Sequence, residues 1–100
     1  MLSKQELSNT SSLSPDYISQ QVKQAILIVY GLDHPVPDSL ADSALMSGFG
    51  FNDYQWIELA FSLTKIIRNY NPDQSVTAPD LENLVTVRDC IDLVIQKSGI

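Results

Sequence analysis

Apolar positions recur at helical spacing in three stretches of this chain, and polar or turn-forming residues mark where each stretch begins and ends. In the first, Ile18, Val22, Ala25, Ile26 and Val29 share one face while Gln20, Gln21, Lys23 and Gln24 cover the other. A capping Ser14, Pro15 at the first helical position and Asp16 in the first turn predict where this helix starts, and Gly31 predicts its C-terminal cap. The second stretch runs from Asn52 to Tyr70 without Gly or Pro. There Trp56, Leu59, Leu63, Ile66 and Tyr70 form an apolar row beside a polar strip of Gln55, Glu58, Ser62, Lys65 and Asn69. Ile57, Ala60, Phe61 and Ile67 continue the apolar surface round the other side. So wide an apolar surface needs neighbours on several sides, which makes this the expected central helix of a small bundle. Asn52 is its N-cap, Gln55 three positions on completes a capping box, and Asp53 meets the positive end of the helix dipole. Pro72 ends it.

Between these helices, Leu32 to Phe51 reads as a long connection containing Pro35, Pro37, Gly48 and Gly50. Its apolar anchors are Leu40, Ala44, Leu45 and Met46, and a short helical turn around Asp38 to Met46 would give it internal order. Connections of this length are uncommon in small domains and are usually functional. Beyond Pro72 the segment Pro79 to Leu84 has room for one or two helical turns. Thr86 then caps a last helix lined by Val87, Cys90, Ile91, Val94 and Ile95, with Asp89 in its first turn. Residues Met1 to Ser14 are mostly polar with scattered leucines, which predicts a flexible tail whose Leu2 and Leu7 have the chemistry to dock on the domain or on a partner, though no pattern requires it. The expectation is an all-α domain over residues 15–100, with three main helices and one short one.

Composition narrows the function more than the fold. Twelve acidic against six basic side chains give a net charge of −6 with no Lys/Arg cluster, which argues against a nucleic-acid partner. The longest apolar run, Ala25 to Tyr30, is far too short to span a membrane, and no apolar stretch follows Lys4 as in a secretory signal, so a cytoplasmic protein without membrane contacts is expected. Acidity of this size more often marks a soluble surface than a function, though it also suits docking onto a basic patch of another protein, and the chain is expected to be a monomer.

Candidate chemistry is sparse. His34 is the only histidine and Cys90 the only cysteine, so there is no partner set for a histidine-based triad and no metal cluster. Cys90 falls on an apolar row and reads as a buried thiol, and His34 before Pro35 as a loop residue. Gly48-Phe49-Gly50 lacks the context of a nucleotide loop and reads as the approach to the second long helix.

Two stretches resemble the acyl carrier protein family and its peptidyl carrier relatives. In Gly50 to Leu59, Ile57-Glu58-Leu59 stands where the family has Val-Glu-Leu in the helix that follows Leu-Gly-x-Asp-Ser-Leu. Thr77 to Asp92 resembles the family's short third helix, its Thr-Val helix start at Thr86-Val87 and its closing Ile-Asp at Ile91-Asp92. The resemblance spans Pro15 to about Lys97 and implies an acyl-carrier-protein-like four-helix bundle.

Carriers of this family attach 4′-phosphopantetheine to a serine at the start of their second helix. Alignment on Ile57-Glu58-Leu59 puts Asn52-Asp53-Tyr54 where Asp-Ser-Leu is expected, so Asp53 stands in the serine's place. Attack by a carboxylate on the coenzyme A pyrophosphate would give a readily hydrolysed acyl phosphate instead of a stable phosphodiester. The expectation is therefore a non-catalytic domain with no cofactor, working through protein contacts in fatty acid, polyketide or nonribosomal peptide biosynthesis. Asp53 reads either as a favourable first-turn charge or as a crude imitation of the missing phosphate. Asp38-Ser39-Leu40 spells the attachment motif, which leaves a functional carrier modified with 4′-phosphopantetheine on Ser39 as an alternative. A helix starting at Ser39 would, however, meet Gly48 and Gly50 within three turns. An unrelated helical interaction module is the third reading. The family's second helix presents acids to its enzymes, whereas this strip has Glu58 alone, balanced by Lys65. Partner contacts are accordingly assigned to Asp53, Tyr54, Trp56, Glu58 and Lys65, while core packing is the simpler role for the aromatics Tyr54, Trp56 and Phe61.

Overall fold

A computed structural model describes residues 15–100. The predicted tail and the Ser14 cap lie outside the described residues. Four α-helices follow one another: α1 (Pro15–Tyr30), α2 (Asp53–Arg68), the short α3 (Ala78–Glu82) and α4 (Val87–Ser98). A 3₁₀ turn, Met46–Phe49, leads into α2. Among the described residues there is no strand, only an isolated antiparallel bridge between Leu45 and Thr86.

The predicted faces close on one core. Ile18, Val22, Ala25, Ile26 and Val29 of α1 meet Leu59, Ala60, Leu63, Ile66 and Ile67 of α2 and Val87, Cys90, Ile91 and Val94 of α4. Leu81 is the one fully buried side chain of α3, and Met46 closes the core beneath the 3₁₀ turn. Helix α2 packs against all three other helices, as expected of a central element. At its far end Thr64 accepts from the Val76 amide at 3.1 Å, pinning the turn that follows α2. Burial pushes the Cys90 thiol up to about 12, so it packs as a small apolar side chain.

Several local expectations are corrected. Helix α1 does end at Tyr30, but Gly31 is not a left-handed cap; among the described residues only Gly50 and Gly99 have positive φ. Its absent Cβ matters because Val36 Cγ2 would lie 2.5 Å from such an atom. The missing side chain therefore makes room for Val36, which Pro35 and Pro37 hold against the end of α1.

Of the helical turn expected around Asp38 to Met46 only one hydrogen-bonded turn forms, Ala44 N–H donating to Ala41 O at 3.1 Å, and the 3₁₀ turn begins at Met46. The main chain there has other partners: Arg88 N–H donates to Asp42 O, Val87 N–H to Ala44 O, and Met46 N–H to Val85 O, all at 2.9 Å. Backbone groups paired with a distant segment in this way cannot also close a helical turn. Side chains reinforce the join, since Asp42 takes both Lys23 of α1 and Arg88 of α4, and Arg88 also meets Asp92. Leu40 and Ala44 lean on the core and Met46 is buried, but Leu45 is exposed and is no anchor.

Candidate functional site

The first turn of α2 is built as its residues require. Asn52 accepts the Gln55 amide at 2.8 Å, and Gln55 Oε1 accepts the Asn52 amide at 3.0 Å. Gly50, at φ 64°, turns the chain from the 3₁₀ segment into this cap, a conformation that a side chain would strain. Gln55 was expected on the polar strip, yet it is buried. The reason is a second hydrogen bond, from its Nε2 to Asp33 Oδ2 at 3.3 Å, which ties the cap to the end of α1.

Five rings run alongside this cap. His34 stacks on Tyr30 with centroids 4.6 Å apart, and Tyr30 meets the edge of Phe49 at 5.8 Å. Phe49 stacks on Phe51 at 5.3 Å, and Phe51 meets Trp56 edge-on at 5.2 Å. These are the favoured offset and edge geometries of aromatic pairs. They fix the loop Phe49–Phe51 against both long helices and commit much of Trp56 to packing. His34 Nδ1 also lies 2.6 Å from Asp33 Oδ1, so Asp33 serves the ring at one end of the row and the cap at the other.

The assigned contact residues fall into two groups. Asp53 is the first residue of α2 and is exposed, as are Tyr54 and Lys65, while Glu58 and Trp56 are half-buried. The Glu58 carboxylate, one turn on, accepts from the Tyr54 hydroxyl and holds its pKa above the ordinary 10.0. Tyr54 and Phe61 are each 63% exposed, so core packing, the simpler role expected of these rings, is overturned for both. Ile57, 46% exposed, joins them on the solvent side, and the apolar surface of α2 is completed inward only by Ala60 and Ile67. The helix turns its row of Leu59, Leu63 and Ile66 to the core, which places Tyr54 and Phe61 at the middle of the opposite face.

Ser39 sits on the exposed part of the connection, in non-helical backbone, and so is not at a helix start. An apolar cleft lies nearby, lined by Tyr30, Val36, Ala44, Leu45 and Phe49. Sequence reasoning missed it, because it forms only when the two prolines fold the connection back over α1. Among the described residues no cluster of three or more His, Cys, Asp or Glu could hold a metal ion, and no helix is long and apolar enough to cross a membrane. Comparison with known protein families, with curated proteins and with solved structures finds no match.

Proposed function

We propose that this chain is an acyl-carrier-protein-like domain without a 4′-phosphopantetheine arm, acting through protein contacts in a fatty acid, polyketide or nonribosomal peptide assembly system. The observation that carries the reading is Asp53. It is exposed at the first position of α2, in a turn with no serine or threonine, at the point where the resemblance expects the attachment serine. The helix order, two long, one short and one long, and the glycine turn that feeds α2 are further support. Contacts would run through the exposed side of α2, where Tyr54, Glu58 and Lys65 stand on a rigid element.

Incubation with coenzyme A and a broad-specificity phosphopantetheinyl transferase, followed by intact mass measurement, tests this. The expected result is no mass change for the natural sequence and a stoichiometric gain for Asp53→Ser. A gain on the natural sequence that Ser39→Ala abolishes would overturn the proposal in favour of a working carrier. No gain on Asp53→Ser would remove the support drawn from the carrier resemblance.

A further inference from the structure

The exposed face of α2 is mainly apolar over its N-terminal half, where Glu58 sits among the rings, and basic in its last turn. Tyr54, Ile57 and Phe61 lie at the i, i+3, i+7 spacing of a helix-packing ridge, and all three are exposed. Around them Glu58 stands toward the N-terminal end, and Lys65 and Arg68 toward the C-terminal end. Arg68 is held in place by the hydrogen bond from its Nε to Gln74 O at 3.2 Å, which leaves its other guanidinium N–H groups for a partner.

Each charge alone has a simple explanation, since acids suit the start of a helix and bases its end. The combination has a further property: the stripe is complementary to itself. Tyr54 and Arg68 are equally spaced in sequence on either side of Phe61. A second copy of α2 laid antiparallel across a two-fold axis at Phe61 would bring Phe61 onto Phe61, Tyr54 onto Arg68 and Glu58 close to Lys65, with the last two pairs each made twice. This is the requirement for a closed two-fold interface. Cation–π attraction and opposing helix dipoles act in the same direction.

We infer that α2 mediates reversible homodimerisation of this chain through the Tyr54–Ile57–Phe61 ridge. Charge decides between a second copy and a basic partner. The chain carries −6 overall, yet on α2 Asp53 and Glu58 are matched by Lys65 and Arg68, so this helix has no net negative charge and a basic surface would be better served elsewhere on the molecule. A single helix pair buries less than the roughly 1,200 Å² of a standard stable interface, which makes the association weak, with a Kd in roughly the 10 µM to 1 mM range. The inference stands apart from the cofactor question. In a cell such a dimer would cover the face that the proposed protein contacts use, so self-association and partner binding would compete.

Sedimentation equilibrium on the full chain, from about 10 µM to about 1 mM, is the test. The expected result is a monomer–dimer equilibrium that Phe61→Ser weakens at least tenfold. Because Phe61 is exposed, that variant should keep its helical circular dichroism and melting temperature. Glu58→Lys and Lys65→Glu should each weaken self-association, and mixing the two should restore a heterodimer, because both cross-pairs become attractive again. A chain monomeric to about 1 mM, or a dimer indifferent to Phe61→Ser, would overturn the inference. A dimer that the charge exchanges leave unchanged would overturn the antiparallel two-fold arrangement.

Discussion

Gln55 donates from Nε2 to Asp33 Oδ2 at 3.3 Å while its Oε1 receives the Asn52 amide, so one side chain both completes the cap of α2 and joins it to the end of α1. A capping box normally serves its own helix alone. Here it also sets where the first turn of α2 sits against α1, and therefore where Asp53 and Tyr54 are presented.

Asn52→Ala should lower the free energy of unfolding by about 1 kcal/mol, the usual cost of losing a side-chain cap. Asp33→Ala should cost less, because its hydrogen bond is longer and partly exposed. The two losses should not add, since both act through Gln55, and urea unfolding of the single and double variants measures the coupling.

Gly31→Ala should destabilise the domain by about 1 kcal/mol, although replacing glycine near a helix end at an ordinary φ usually stabilises. The sign is reversed by Val36, whose Cγ2 occupies the space that the new methyl would need. Adding Val36→Ala should abolish that penalty. Thermal melts of the four chains in this cycle decide whether the clash or the backbone prevails.

Acid should loosen the N-terminal ends of α3 and α4. The Thr86 amide beside Asp89 and the Thr77 amide beside Asp80 hold both carboxyls below the ordinary 3.8, and Lys23 followed by Arg88 does the same for Asp42. A carboxyl whose folded pKa is depressed contributes stability that is complete above its unfolded pKa and is lost as pH falls through the folded one. Stability should therefore change little between pH 7 and 5 and fall below about pH 4. Asp89→Asn should reduce the size of that fall when melting temperature is followed against pH.

Much of the frame was legible because each helix announces itself locally. The apolar faces of α1 and α4, the Asn52 and Thr86 caps and the short α3 with Pro79 in its first turn all follow from spacing and capping chemistry within a few residues. The connection from Leu32 to Phe51 was misread because its order comes from partners more than thirty residues away, at Val85, Val87 and Arg88. Gln55 looked solvent-facing because nothing near it in sequence reveals Asp33. The largest gap concerned the exposed ridge. A helical wheel shows that Tyr54, Ile57 and Phe61 share a direction, but with apolar residues on nearly every side it does not say which direction the bundle leaves open.

The join between the connection and the start of α4 is made by main-chain groups, with Asp42, Lys23 and Arg88 as its side-chain reinforcement. Leu45 and Val85 lie within it and still show more than half of their surface to solvent. Amide and carbonyl groups are the same in every residue but proline, so this segment can exchange its outward side chains without loosening what holds it. Substitutions at Leu45 and Val85 can therefore alter this surface without disturbing the main-chain join or the bundle beneath it.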